Sequence, residues 1–117
     1  MKGLIACGIG TPAKGRVMAE KGYAIILMDV LDRDTYVDYA RRATTIETRY
    51  GGMPLVVSDI DEVVEGEWPS ERVVILEFPS IEQARAWYRD PEYQELIPLR
   101  HKATVSMITF VEGFLQG

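Results

Sequence analysis

Three segments of the chain combine β-forming residues with apolar side chains on both faces of the strand that each would form. They cover residues 23–30 (YAIILMDV), 72–78 (RVVILEF) and 104–111 (TVSMITFV). Successive side chains of a strand point to opposite sides of its sheet, so a nearly unbroken apolar run needs cover on both sides. The sequence therefore predicts a sheet that is buried on both faces.

A helix is predicted after the first of these segments. Asp32 or Asp34 suits its N-cap, and Gly51-Gly52 suits its end, because glycine accepts the left-handed conformation of a C-terminal cap. The charged residues of this segment, Glu47 among them, are expected to face water. The apolar positions recur at helical spacing and are Tyr36, Tyr39, Ala40, Ala43, Ile46 and Tyr50.

A second helical segment is predicted after the strand at residues 72–78. Ser80 and Gln83 fit a capping box at its start. Asp90-Pro91 then restarts the helix, with aspartate as N-cap and proline at the first helical position. With a further strand at residues 53–58 (MPLVVS), the element order becomes β-α-β-β-α-β. This order matches the ferredoxin-like sandwich of the α+β class.

The same pattern predicts an assembly. Two helices can cover only one face of a four-stranded sheet, whereas the three segments above are apolar on both faces. The uncovered face would expose a patch larger than the few hundred Å² that monomers usually tolerate. A second copy of the sheet is the natural cover, and a two-fold dimer is the commonest solution. We therefore expect a homodimer, with higher oligomers left open.

Charge and cysteine content exclude several classes of function. Eighteen acidic against thirteen basic residues give a net charge of −5, which argues against nucleic acid or an anionic membrane as partner. The single cysteine, Cys7, allows neither an internal disulfide nor a Cys-x-x-Cys metal site, and fits a cytoplasmic protein. No apolar run approaches the ~20 residues that span a bilayer. We expect no metal and no cofactor.

Residues 1–21 are interpreted as an N-terminal extension, and residues 22–117 as the folded domain. Residues 8–13 (GIGTPA) satisfy the G-x-G-x-x-A form of a dinucleotide-binding fingerprint, with Asp29 downstream as the partner of a ribose hydroxyl. The helix after it would be short and interrupted by glycine, and no βα pattern repeats afterwards. An accessory extension is the simpler interpretation, with Met18 as an alternative start.

One carboxylate interrupts an otherwise apolar strand and is the leading candidate for catalysis. Glu77 stands between Leu76 and Phe78. A carboxyl group buried at such a position is expected to have a raised pKa and to act as a base. A salt bridge to Arg72 or Arg100 is the competing structural interpretation.

Further residues are candidates for the wall of a small-molecule pocket between sheet and helices. They combine aromatic surface with a few polar groups, as ligand sites do. These candidates are Asp29, Tyr50, Trp87, Tyr88 and Arg100. Each also has a structural interpretation, such as a tyrosine at the edge of the core or a carboxylate that caps the end of a strand. His101, between two basic residues at a predicted helix end, fits dipole complementation better than chemistry.

An ordered set of short motifs gives the chain a family resemblance. The motifs are Tyr50-Gly51-Gly52, Glu65-Gly66-Glu67-Trp68, Glu77-Phe78-Pro79-Ser80, Ala86-Trp87-Tyr88, Pro91-Glu92-Tyr93-Gln94, Pro98-Leu99-Arg100 and Val111-Glu112-Gly113. Together they resemble the family called domain of unknown function 1330, in the dimeric α/β-barrel superfamily. The resemblance spans residues 22–113. It implies a ferredoxin-like subunit whose sheets pair face to face, and it carries no established reaction. The chain has Ser58-Asp59-Ile60 where members often have an Arg-Gly-Gly-like segment.

Three functions remain open on this basis. The first is the binding of a small organic molecule in a pocket between sheet and helices. The second, implied by the superfamily resemblance, is a cofactor-independent oxygenase or isomerase that works by positioned acids and bases. The third is a non-enzymatic assembly module whose dimer is the functional unit.

Overall fold

The structure is a computed structural model that describes residues 20–114 of the 117-residue chain. Its elements are β1 (Gly22–Val30), α1 (Arg33–Arg49), β2 (Met53–Asp59), β3 (Arg72–Phe78), α2 (Ile81–Arg89), α3 (Pro91–Ala103) and β4 (Thr104–Glu112). This is the predicted β-α-β-β-α-β order, with the second helical segment divided in two. The dinucleotide fingerprint at residues 8–13, the alternative start at Met18 and residues 1–19 of the predicted extension (residues 1–21) lie outside the described residues.

The four strands form one antiparallel sheet in the order β2-β3-β1-β4. Ile25 at the centre of β1 pairs with Ile75 of β3 on one side and with Thr109 of β4 on the other. The edge strand β2 shifts register against β3 between Pro54 and Val56. The α+β ferredoxin-like fold is therefore confirmed.

The helices cover one face of the sheet. Side chains alternate between the two faces along each strand, so those that point towards the helices form the core. In β1, Ala24, Ile26 and Met28 are buried, and the residues between them are half-buried. The largest fully buried side chains are Trp87, Tyr93, Phe78 and Ile46. The Trp87 ring centroid lies 4.5 Å from that of Tyr93 and 5.5 Å from that of Phe78. The core is therefore an aromatic cluster between α2, α3 and β3.

Side chains at the helix starts explain where the helices begin. Asp32 accepts a hydrogen bond from the backbone N–H of Thr35, and Ser80 accepts one from that of Gln83. Asp90 ends α2 and caps α3, and its carboxylate accepts hydrogen bonds from the backbone N–H groups of Glu92 and Tyr93. These are the caps that the sequence predicts, with Asp32 rather than Asp34 at the start of α1.

The opposite face of the sheet, here called the open face, has no helix over it among the described residues. Met53 and Val56 of β2 pair with Glu77 and Ile75 of β3 and so share their face. The exposed large apolar residues of this face are Met53, Val56, Val105, Met107 and Val111. Half-buried Ile25, Leu27, Val73 and Ile75 lie among them. The expectation of an uncovered apolar face is confirmed for the subunit.

Two further searches of the described residues bear on function. No helix in residues 20–114 is both long and apolar enough to cross a membrane. Within the same residues, no three histidine, aspartate or glutamate side chains lie together as a metal ion would require.

Candidate functional site

A cleft of about 230 Å³ lies between α1 and the β2 side of the sheet, and we call it the α1 cleft. The sheet supplies an apolar floor of Ile26, Met28, Pro54, Val57, Val74 and Leu76. The α1 wall consists of Tyr36, Tyr39, Ala40, Ala43, Thr44 and Glu47. The cleft exists because α1 lies over the central strands with two alanines towards the sheet, while every residue of the edge strand β2 is exposed.

Within residues 20–114, Glu47 is the only carboxylate that lines the α1 cleft. It is 8% exposed, and no ion pair of the described residues includes it. Burial alone raises the pKa of its carboxyl group from 4.5 to about 7, because an apolar setting disfavours the charged form. The group can therefore hold or release a proton near neutral pH.

The expectation that Glu47 faces water is wrong. Counted along α1, Tyr36, Ala40, Ala43 and Glu47 follow one another at steps of four, three and four residues, and all four line the cleft. Residues at such steps share one face of a helix. The sequence contains this spacing. It does not predict that Glu47 is buried, because glutamate is rarely found on the buried face of a helix.

A chain of buried polar groups runs from the α1 cleft into the subunit. The hydroxyl oxygens of Tyr39 and Tyr93 are 2.6 Å apart. Behind Tyr93 lies Arg100, which is 3% exposed and donates from Nη1 to the Ser106 hydroxyl at 2.6 Å. Its Nε has no hydrogen-bond partner among the described residues. Arg100 thus brings a positive charge into the interior without an acidic partner there.

The pKa values of the two tyrosines reflect this arrangement. Burial raises the pKa of both hydroxyls, most strongly for Tyr39, whose pKa is raised further by the adjacent Tyr93 and by Glu47. The positive charge of Arg100 opposes this rise in pKa at both tyrosines. Glu47, Tyr39, Tyr93 and Arg100 therefore interact electrostatically across the cleft wall.

The family model for the domain of unknown function DUF1330 matches residues 21–114. The chain belongs to the DUF1330 family. The resemblance noted in the sequence is therefore confirmed, and the match covers most of the chain. No curated protein matches this sequence.

Solved structures similar to this DUF1330 chain share its fold. A protein of unknown function from Rhodopseudomonas palustris is 20% identical, with 83% of this chain and 85% of that chain covered and a TM-score of 0.68. SnoaB, a cofactor-independent oxygenase from Streptomyces nogalater, is 10% identical, with 84% and 97% covered and a TM-score of 0.60. A dimeric ferredoxin-like protein of unknown function from Thermobifida fusca is 7% identical, with 87% and 99% covered and a TM-score of 0.56.

Glu77 of the DUF1330 domain lies outside the α1 cleft. It is half-buried on the open face, where its carboxylate accepts a hydrogen bond of 2.9 Å from the Tyr23 hydroxyl. Neither ion pair considered for it forms within residues 20–114, since Arg72 pairs with Asp59 at 2.9 Å and Arg100 donates to Ser106. A catalytic role for Glu77 stays a prediction, and any such role belongs to the open face.

The five residues predicted as a pocket wall are dispersed in the DUF1330 subunit. Asp29 accepts from the backbone N–H of Glu71 at 2.7 Å and so ties the end of β1 to the segment before β3. Tyr50 donates its hydroxyl to Asp90 at 2.6 Å. Their ligand-binding roles stay predictions, and the structure shows structural contacts for both.

The remaining predicted pocket residues lie in the core and behind the cleft. Trp87 is fully buried in the aromatic cluster, with Nε1 unpartnered among the described residues. Tyr88 packs edge-on against Phe110. Trp87 and Tyr88 pack against the Tyr93 ring, at 4.5 Å and 5.7 Å between ring centroids, and neither they nor Arg100 line the α1 cleft. Sequence reasoning did not associate Glu47 with Tyr39, and it did not bring Tyr93 into the site.

Proposed function

We propose that the α1 cleft binds a small organic molecule and that Glu47 exchanges a proton with it. The observation that carries this proposal is a buried carboxyl group that lines a largely apolar cleft and has no ion-pair partner among the described residues. Buried carboxyl groups are normally paired or hydrogen-bonded, so one that lines an open cleft indicates a functional site.

The size and lining of the cleft support a small, largely apolar ligand. Its volume of about 230 Å³ is somewhat below the ~300–1,000 Å³ of typical small-molecule sites. The aliphatic floor favours a ligand with a flat hydrophobic part, and the polar groups on the α1 side would orient that ligand. Glu47, Thr44 and two tyrosines supply these groups.

The protonation behaviour of Glu47 supports acid–base chemistry in this cleft. A general acid or base works best when its pKa is close to the working pH. The raised pKa makes the Glu47 carboxylate a stronger base than a solvated glutamate, and leaves part of it protonated at neutral pH. An isomerase that moves a proton within its substrate is one activity of this kind.

A cofactor-independent oxygenase is the second candidate. The likeness to SnoaB concerns the fold. The specific observation in its favour is a base in an apolar cleft, because such a reaction begins by removing a proton from the substrate. Consumption of oxygen, followed with an oxygen electrode, would distinguish it from isomerisation. Ligand binding without turnover would support the non-enzymatic module.

We also propose that two subunits pair through their open faces. Aliphatic side chains from all four strands are exposed or half-buried there, and a second sheet would cover them. A relative with the same fold is described as dimeric. This arrangement is a homodimer of the dimeric α/β-barrel type, and it would bury Glu77 and Tyr23 between the sheets.

The remaining expectations are proposals of the same kind. The net charge of −5 supports partners other than nucleic acid or anionic membrane. The lack of a cysteine pair supports a cytoplasmic location. The family match beginning at residue 21 supports a domain over residues 22–117 with residues 1–21 as an extension.

The cleft is tested by filling it. Ala40→Leu adds bulk to a half-buried position in the α1 wall, whereas Thr48→Leu adds bulk to an exposed position on the same helix and serves as the control. We expect saturable binding of the apolar dye Nile red to the wild type, weakened roughly tenfold by Ala40→Leu. Equal affinity for the dye in Ala40→Leu and Thr48→Leu would refute binding in the α1 cleft.

A further inference from the structure

One of the two buried tyrosine hydroxyls has no acceptor for its hydrogen among the described residues. Each phenolic hydroxyl can donate once, and the hydroxyls of Tyr39 and Tyr93 share a single hydrogen bond of 2.6 Å. Neither hydroxyl donates to any other described group at hydrogen-bond distance. One of the two O–H groups is therefore free to donate to a group that enters the cleft.

Burial determines which hydroxyl is free. By distance alone, either hydroxyl could donate the 2.6 Å hydrogen bond. Tyr93 is fully buried, and the Tyr39 oxygen is the only acceptor among the described residues that is recorded at hydrogen-bond distance from its hydroxyl. A buried O–H group without an acceptor is costly, so Tyr93 donates to Tyr39. The free O–H group is that of Tyr39, and Tyr39 lines the α1 cleft.

We propose that Tyr39 forms an oxyanion site in the α1 cleft, which selects ligands with an enol or phenol oxygen that becomes negatively charged when the ligand loses a proton. This inference rests on the proposed function, since it concerns the same cleft. Tyr39 is the group that contacts the ligand. Tyr93 and Arg100 act through it as positioning residues.

The proton transfer balances without any further reactant. The ligand hydroxyl gives its proton to the Glu47 carboxylate, which becomes a neutral carboxylic acid, and the electron pair stays on the ligand oxygen. The anion then accepts the hydrogen bond from Tyr39. Because Glu47 is neutral at that stage, no like charge opposes the anion in the cleft. The positive charge of Arg100 lies behind the two hydroxyls and favours the anion.

The charged and titratable groups around this site come from α1, α3 and β3. On α1, Tyr36 and Glu47 line the cleft beside Tyr39. On α3, Tyr93 and Arg100 stand behind it. From β3, the Arg72 guanidinium lies 5.6 Å from the centre of the Tyr36 ring and is paired with Asp59. The charge of Asp59 is offset by Arg72, so Glu47 is the one unpaired carboxyl group among the groups named here, and it would repel an anion only in its ionised form.

The experiment uses 4-nitrophenol as the probe, because its anion absorbs visible light and its neutral form does not. The matched control probe is 4-nitroanisole, which has no ionisable hydroxyl. The spectrum of bound 4-nitrophenol is recorded about one pH unit below the midpoint of the free probe. We expect the ratio of anion to neutral form to be roughly tenfold higher when the probe is bound to the wild type than when it is free.

Tyr39→Phe keeps the ring and removes the donor. It is expected to abolish the increase in the anion form while leaving the affinity for 4-nitroanisole unchanged. Tyr93→Phe, which removes the donor to Tyr39, is expected to reduce the increase. Tyr23→Phe is the control, because Tyr23 is a half-buried tyrosine of β1 whose hydroxyl donates to Glu77 on the open face and does not line the cleft.

The outcomes separate this inference from the function on which it rests. If neither probe binds the wild type in competition with Nile red, ligand binding in the cleft is refuted and the oxyanion site with it. If both probes bind and Tyr39→Phe shows the same anion fraction as the wild type, the oxyanion site alone is refuted, and the cleft remains as proposed.

Discussion

Glu47 shows how a helix can carry an ionisable group on its buried face without losing the helix. It follows Tyr36, Ala40 and Ala43 along the side of α1 that faces the sheet, so its backbone position is that of a core residue. Burial of its carboxyl group disfavours the ionised form. Ionisation of this group therefore lowers the free energy of unfolding, which can be measured in the protein without a ligand.

The raised pKa of Glu47 predicts a particular dependence of stability on pH. Between the unfolded value of 4.5 and the folded value of about 7, the folded protein binds more protons than the unfolded one. The contribution of Glu47 to the free energy of unfolding is therefore fully present below the unfolded pKa, and is lost as the pH rises through the folded pKa. The loss amounts to about 3 kcal/mol at most.

Urea denaturation tests this at about pH 5 and about pH 8. Glu47→Gln is expected to remove most of the decline in unfolding free energy between these conditions, because glutamine does not ionise. Glu95→Gln on the exposed side of α3 is the control and should retain the decline. A wild-type decline that survives Glu47→Gln would contradict the burial of this carboxyl group.

At the scale of the elements, the break between α2 and α3 is a single aspartate with several partners. The Asp90 carboxylate accepts hydrogen bonds from the backbone N–H groups of Glu92 and Tyr93 and from the Tyr50 hydroxyl. These hydrogen bonds, together with the charge of Arg49, hold its pKa below the usual value. Asp90 thereby joins the end of α1 to the start of α3, the helix that carries Tyr93.

Two substitutions at Asp90 separate its capping role from its charge. Asp90→Ala removes the acceptor for α3 and for Tyr50, so we expect a clear fall in Tm. Asp90→Asn keeps an acceptor oxygen and should lose less. Differential scanning calorimetry at neutral pH measures both. Equal losses in the two variants would mean that charge rather than capping stabilises the break.

The elements could be predicted because each has a local signal, whereas the site has none. Capping residues and glycines mark the helix ends, and β-forming runs mark the strands. The hydrogen bond between Tyr39 and Tyr93 joins residues 54 positions apart, and it depends on how α1 packs against α3. A pattern within one element does not contain that information. Glu77 illustrates this, because the alternation of residues in β3 fixes which face of the strand Glu77 shares with Val73 and Ile75 but does not show which face the helices cover.

At the scale of the whole molecule, the subunit is a layer of helices on a sheet whose other side has no cover of its own among the described residues. Ile75 lies at the centre of the open face, paired with Ile25 and next to Val56. A surface of this kind is stable in water only if another apolar surface meets it. The assembly is therefore expected to be part of the fold.

A charge at the centre of the open face tests the assembly. Ile75→Lys is expected to convert a dimer into a monomer at low micromolar concentration in sedimentation velocity, because two unpaired charges would be buried between the sheets. Leu31→Lys places the same charge at an apolar residue that is 66% exposed and lies in no strand, so it should remain dimeric.

Circular dichroism of both variants checks that the subunit still folds. A wild type that sediments as a monomer at this concentration would refute the proposed dimer. A folded Ile75→Lys that remains dimeric would place the interface elsewhere.

The edge strand β2 takes part in both proposed sites. Pro54 and Val57 form part of the cleft floor, while Met53 and Val56 point to the open face. A ligand that orders β2 would therefore strengthen self-association, and self-association would strengthen ligand binding by the same factor, since linkage between two equilibria is reciprocal. Apparent affinity would then rise with protein concentration. A ligand screen on a very dilute sample would report the properties of the separated subunit, in which this wall of the cleft is held from one side only.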